Sequence, residues 1–385
     1  MKLITRAATL AIAIITSIAP LTAPPESLNE ALVTPGSDSI RRDQWHLQYL
    51  RSADANNISR GAGVVVAVLD TGVDQHPDLR RNLLPGITIP PSSSGDGRID
   101  QDSHGTSMAG LIAAHGSGPQ SGALGIAPAA KIMPIKFKLK NDAGNPEDLA
   151  AAIEWAISHG ADIINISAVS DTTIRLKAAL RAAIQADVIV VASAGNRPED
   201  SGVSYPALED KVVAVGGIDQ KGNHADISVT GKRIDVTAPA VDIYSTSTSG
   251  KYSKGTGTSS ATAIVAGAAA LVRSKYPYLP AAEVVHRLTA TAVDKGPPGR
   301  DDEYGYGVID LVAALTADVP PLGFEGATVT PPSGATSAAA QPAGGDGGAT
   351  VRGWVTLGVI AVAGGGFLVW RRRRRAGDPP PRISR

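Results

Sequence analysis

"VVVAVLDTGVD" occupies residues 64–74, and its first six residues are apolar without a break. They are mostly β-branched and are bounded by Gly63 and Asp70. A half-buried strand would alternate apolar with polar residues. A run this uniform must bury both faces, and it is shorter than an ordinary helix. The strand therefore needs cover on two sides, and the sequence that follows supplies it. "PEDLAAAIEWAISHG" (146–160) has helical spacing and stops on a glycine, and "DIINIS" (162–167) is strand-like. "TTIRLKAALRAAIQA" (172–186) is helical, and "DVIVVAS" (187–193) and "KVVAVGGI" (211–218) are again strand-like. "ATAIVAGAAALVRSKY" (261–276) closes the series as a helix. Buried strands alternating with helices predict an α/β domain around a central, mostly parallel sheet. Functional groups in such sheets gather beyond the carboxyl ends of the strands. The folded domain is expected over residues 43–316.

Composition narrows the function classes. Lys plus Arg and Asp plus Glu are 36 each, so the net charge is zero and nothing points to nucleic acid. Cysteine is absent, which excludes disulfides, thiol catalysis and cysteine-ligated metals. The ends carry targeting signals. Lys2 and Arg6 precede an apolar run over 7–19, which reads as a signal peptide ending near residue 23. An N-terminal extension (24–42) follows. The uncharged run 353–370 would be about 27 Å long as a helix at 1.5 Å per residue, close to the hydrocarbon thickness of a bilayer. Trp354 and Trp370 flank it, and Arg371–Arg375 follow. This predicts a single-pass transmembrane helix with a basic cytoplasmic tail (371–385) and an extracytoplasmic domain. Residues 317–352, rich in Pro, Gly and Ala, read as a tether with an end-to-end distance of about 30–36 Å.

Four segments place polar residues at strand ends or helix starts. Asp70 follows the first strand. His104 stands in "DSHGTSMAGLIAAH" (102–115), ahead of a helical run. Asn196 ends "VIVVASAGN" (188–196), and Ser259 and Ser260 sit side by side in "GTGTSSATAIVAG" (255–267). Singly, each has a plain structural reading: a turn Asp, a His beside a cap, a turn Asn, a helix-capping Ser. Together, in this order and in one α/β domain, they offer a nucleophile, a base, an orienting acid and an oxyanion donor.

The segments "DTG", "HGTSMAG", "SAGN" and "GTS" resemble those of subtilisin-type serine proteases. The resemblance implies a three-layer subtilisin-like fold. It also implies a triad of Asp70, His104 and Ser259, with the Asn196 side chain in the oxyanion hole. No cofactor and no metal is called for. There are departures. Ser260 stands where the family usually has a larger apolar residue, and the Pro and His that usually follow are missing. The family's substrate strand, often "SLGG", reads Ser167-Ala168-Val169-Ser170 here, so Val169 is expected to narrow the cleft. Ser204 falls at the expected floor of the main specificity pocket, which should be small.

The layout and the segments "DSIRRDQWHLQYL" (38–50) and "YGYGVID" (304–310) further resemble the mycosins, membrane-anchored subtilases of type VII secretion. That resemblance implies an N-terminal extension packed on the domain. It also implies a membrane protein whose partners are a protein or peptide substrate and a type VII secretion complex. Two other functions stay open: a structural subunit of that complex, and a general degradative protease.

Overall fold

The computed structural model describes residues 37–89, 94–118, 120–140 and 144–323. The signal peptide, the transmembrane run, the basic tail, most of the extension and most of the tether lie outside the described residues. Among the described residues no helix is long and apolar enough to cross a membrane.

Three short helices lead the chain: α1 (Ser37–Asp43), α2 (Trp45–Tyr49) and α3 (Ser52–Ile58). Then come β1 (Val65–Asp70), β2 (Ile87–Thr88), α4 (His104–Ala113), β3 (Lys131–Lys136), α5 (Pro146–Ser158), β4 (Ile163–Ile166) and α6 (Ile174–Gln185). The second half holds β5 (Ile189–Ser193), β6 (Val213–Ile218), β7 (Val236–Pro239), β8 (Ile243–Thr246) and β9 (Tyr252–Gly255). It closes with α7 (Thr258–Lys275), α8 (Ala281–Ala290) and α9 (Leu311–Thr316). Seven strands form one sheet in the order β2-β3-β1-β4-β5-β6-β7, every pair parallel, while β8 and β9 make a separate antiparallel ribbon.

The unbroken apolar strands are explained by what each face meets. Val66 and Val68 of β1 join a core with Ile112 of α4 and Ile264 and Leu271 of α7. Ala67 and Leu69, the alternate residues, join a second core with Leu149 and Ile153 of α5 and Leu176 and Leu180 of α6. With side chains alternating across a strand, the sheet is sandwiched between two helical layers. The helices start where their caps dictate. Asn145 accepts from the Glu147 and Asp148 amides ahead of α5, and Pro146 sits where a missing N–H costs nothing. Thr173 accepts from Leu176 N–H ahead of α6.

The helix α7 is buried on nearly all sides and is built largely of Ala, so it packs close through small residues. Gly110 plays the same part in α4. The Ser245 and Thr246 hydroxyls donate to the Ser107 and Thr106 carbonyls of α4, each at 2.7 Å. A Cβ at Gly110 would lie 2.1 Å from Thr246 Oγ1 and 2.5 Å from Ser245 Oγ. Gly110→Ala gains about 1 kcal/mol of helix propensity. It loses about 1–3 kcal/mol to overpacking and weakens two hydrogen bonds of about 1 kcal/mol each. The loss wins: the denaturation midpoint in urea should fall, and an unchanged midpoint would refute this account of the α4–β8 contact.

Both ends of the domain are laced down. Arg41 Nε donates to the Gly122 carbonyl and Nη2 to Ser121, Gln44 bonds Leu124 and Tyr244, and Ile40 is fully buried. After α9 the chain runs along α8. Arg287 donates to the Ala314 and Ala317 carbonyls, His286 Nε2 bonds Pro320 O at 3.0 Å, and Leu322 N–H donates to Glu283 Oε1 at 3.0 Å. Ordered contacts thus continue into the segment assigned to the tether.

Candidate active site

Asp70 is the last residue of β1 and is fully buried. Its carboxylate lies 2.8 Å (Oδ1) and 2.9 Å (Oδ2) from His104 Nδ1, and Oδ1 also accepts the Thr71 N–H at 2.7 Å. Burial pushes this carboxyl's pKa up. The neighbouring His104, the charge of Lys138 and the Thr71 amide outweigh it and hold the group below the usual aspartate range. A carboxylate so placed keeps the proton of a neutral imidazole on Nδ1 and leaves Nε2 as the acceptor.

His104 opens α4, and the turn before it is built on a carboxylate that the sequence analysis did not single out. Asp100 accepts from the Asp102, Ser103 and Thr106 amides and from the Thr71 and Thr106 hydroxyls. It is only 7% exposed. It joins the turn after β1 to the start of α4, which fixes the separation of Asp70 and His104. The available signal was an Asp four residues ahead of His104, which looks like any turn or cap residue.

Ser259 is the second residue of α7. Its Oγ–H donates to the Ser167 carbonyl at 3.4 Å, and Ser167 Oγ–H donates back to the Ser259 carbonyl at 3.1 Å. Ser260 is 4% exposed, whereas Ser259 is partly open. Asn196 follows β5. Its Oδ1 accepts from the Thr258 N–H at 2.9 Å and from the Thr258 hydroxyl at 3.1 Å, which turns Nδ2 the other way. His104, Asn196 and Ser259 line one cavity of about 250 Å³, together with Gly257 and Met108. A larger cavity of about 500 Å³, bounded by Lys211, Arg233, His286 and Leu322, holds none of these groups. Size is a poorer guide here than the convergence of polar groups.

Of the remaining predicted residues, one meets this centre directly. Ser167 touches Ser259 directly. Ala168 is buried, and Val169 accepts the Gly144 N–H at 3.3 Å. Ser204 Oγ–H donates to Asp200 Oδ1 at 3.0 Å, and the Ser170 N–H donates to the Tyr205 carbonyl, joining the two segments. Ala168, Val169 and Ser204 are not among the described residues that line the 250 Å³ cavity. Among the described residues, no three His, Cys, Asp or Glu side chains stand together to hold a metal ion.

The arrangement can deliver a hydroxyl nucleophile, an imidazole base oriented by a carboxylate, and amide donors at a helix N-terminus. Comparisons with known proteins point to serine proteases of one family. The subtilase family model matches residues 61–307. Subtilisin DY of Bacillus licheniformis is 38% identical over 260 residues, which cover 66% of this chain and 92% of the relative. Two solved structures also match closely. The MycP3 protease from the type VII (ESX-3) secretion system is 35% identical, covering 74% of this chain and 91% of its own, with a TM-score of 0.64. The serine protease MycP1, described as an essential component of the type VII (ESX-1) secretion system, is 33% identical over 73% and 90%, with a TM-score of 0.62.

Proposed function

The chain belongs to the subtilase family of serine proteases, and on that footing we propose that it is a membrane-anchored extracytoplasmic endopeptidase working through Asp70, His104 and Ser259. The observation that carries the reading is one cavity holding Ser259 at a helix start, Asn196, and a His104 whose far nitrogen is tied to a buried Asp70.

The Ser259 hydroxyl turns from Ser167 toward the scissile carbonyl, and His104 Nε2 takes its proton as the Oγ–C bond forms. Asp70 stabilises the resulting imidazolium. The carbonyl oxygen becomes an oxyanion, which Asn196 Nδ2 and the Ser259 backbone N–H meet as donors at the positive end of the α7 dipole. His104 returns the proton to the leaving amine, the C–N bond breaks and an acyl-enzyme remains. Water then repeats the sequence and frees Ser259.

The membrane and secretion parts of the reading rest on three supports. These are the apolar run over 353–370 with its arginine block, the leader over 1–23, and likeness to proteases of type VII secretion systems. The substrate would be an exported protein or peptide at the outer face of the membrane. A second reading, a structural subunit of the secretion complex, is favoured by the description of the MycP1 relative as an essential component of one. A serine-directed fluorophosphonate applied to intact protoplasts separates the two. The proposal expects labelling of the anchored protein from outside and none in Ser259→Ala. An unlabelled wild type in an assembled complex would favour the structural role instead.

A further inference from the structure

The loop after β5 turns on a single carboxylate. Asn196 leaves the strand through Gly195, whose φ of 122° lies in the region that favours glycine. Asp200 Oδ2 accepts the Asn196 backbone N–H at 2.8 Å, and the Asp200 N–H donates to the Asn196 carbonyl at 2.8 Å. One residue therefore holds both backbone polar groups of Asn196. The second carboxylate oxygen accepts the Ser204 hydroxyl at 3.0 Å, and the Ser204 N–H donates to the Ala194 carbonyl at 2.8 Å, so the loop is closed at its neck. The fit is tight: a Cβ at Gly195 would lie 2.8 Å from Asp200 Oδ2. On the side chain, Oδ1 of Asn196 is taken by Thr258. Its Nδ2 is left as the one hydrogen-bonding group of Asn196 without a protein partner among the described residues.

We infer that Asp200 is a positioning residue for the oxyanion donor. By fixing the Asn196 backbone at both ends, it sets where Nδ2 points. The inference rests on the proposed oxyanion role of Asn196. Its physical content is a matter of tolerance. A donor must come within about 2.7–3.1 Å of the place where the oxyanion forms. A displacement near 1 Å can cost up to about a hundredfold in rate. Thr258 holds the side-chain end, and the pairing with Ser228 holds the flanking peptides, with the Arg197 N–H donating to the Ile227 carbonyl at 2.8 Å and the Val229 N–H to the Gly195 carbonyl at 3.4 Å. The carboxylate is what engages the Asn196 N–H itself, and without it the peptide joining Gly195 to Asn196 keeps only the 3.4 Å bond from the Val229 N–H to its carbonyl. Asp200 touches no reacting atom in this scheme and acts only through Asn196.

A double-mutant cycle tests this. Asn196→Ala should lower kcat by about 10²–10³ with KM nearly unchanged, a size taken from subtilisin, a member of this same family, and not obtained from this geometry. Asp200→Ala in the native background should lower kcat about tenfold with KM within about twofold. In the Asn196→Ala background the same change should have no further effect. Asp200→Asn should recover most of the rate, because it keeps an acceptor for the Asn196 N–H while the Ser204 hydroxyl reverses to accept. It also serves if Asp200→Ala does not fold. Amide hydrogen exchange at Asn196 should quicken in Asp200→Ala, independently of turnover. A residue that only closed the loop would lower thermal stability and leave kcat of the folded enzyme alone. Equal losses in both backgrounds, a loss confined to KM, or no loss at all would overturn the inference while leaving the proposed function standing. A wild type with no peptidase activity, or an Asn196→Ala variant of normal kcat, would overturn the oxyanion reading itself.

Discussion

Ser259→Ala should abolish turnover, with kcat falling about a millionfold, while Ser260→Ala stays within about tenfold of the native enzyme. The millionfold figure is that of subtilisin, a member of this same family. What the structure contributes is the choice between two adjacent serines. Successive helix residues are about 100° apart, so only one hydroxyl can face a given point. Both serines line the cavity, but Ser259 is partly open and its hydroxyl reaches the Ser167 carbonyl, whereas Ser260 is packed to 4% exposure. Hydrolysis of a chromogenic peptide by purified protein, with fluorophosphonate labelling alongside, measures both variants. Activity that survives in Ser259→Ala and disappears in Ser260→Ala would reverse the assignment.

Asp70→Asn should keep the fold at neutral pH and lose about 10⁴-fold in kcat. The reason lies in the three contacts of the carboxylate. The Thr71 N–H at 2.7 Å selects whichever oxygen remains at the Oδ1 position of an asparagine. The new NH₂ then occupies the Oδ2 position, 2.9 Å from His104 Nδ1. Nδ1 then meets that donor beside the oxygen still 2.8 Å away, so the Nδ1–H tautomer is no longer enforced, and in the Nε2–H form His104 cannot take a proton from Ser259. Stability should respond to pH in a defined sense. The folded carboxyl is held below the usual aspartate range. Its stabilising contribution is therefore full above that range and is lost as pH falls through the depressed folded value. Asp70→Asn removes this dependence, so its stability should decline less steeply on the acid side than that of the native protein. Kinetics at neutral pH and urea titrations over a series of acid pH values check both statements. A near-normal kcat, or an unchanged acid slope, would count against this role for Asp70.

The parts of the fold that were legible in sequence are those whose burial leaves a local mark. β1, β4 and β5 are apolar on both faces because helices cover both faces. α5, α6 and α7 show their helical spacing, and α5 its glycine stop. What escaped has no such mark. β2 has two residues, and β9 reads Tyr-Ser-Lys-Gly, a ribbon strand with an exposed end. α1 to α3 are polar and short, and their hold comes from distant partners: Trp45 Nε1 donates to the Val241 carbonyl. The candidate site divides in the same way. Asp70, His104, Asn196 and Ser259 stood out through their flanking segments. Asp100 and Asp200, which set the positions of two of them, use the same short carboxylate contacts that ordinary turns use. Only the folded chain shows that those contacts end on His104's helix and on Asn196. Thr258 and Ser167 became visible as partners of Asn196 and Ser259 for the same reason.

The lacing of residues 314–322 along α8 also has a mechanical side. Its bonds occur in sequence: Leu322 to Glu283, then Pro320 to His286, then Ala317 and Ala314 to Arg287. A pull on the chain beyond Gly323 reaches the outermost bond first and opens the row one bond at a time, as a seam unpicks. Freeing residues 317–322 releases about 20 Å of slack at 3.3–3.6 Å per residue. The anchors Glu283, His286 and Arg287 all lie on α8, so each bond limits the load that α8 can carry while it holds, and only once the row is open does the load pass to α9. The seam thus behaves as a fuse that caps the load passed on to α7 until it has opened. In an optical trap, a short extension of that length at low force should precede the main rupture, and a single abrupt rupture would show that the fuse does not exist.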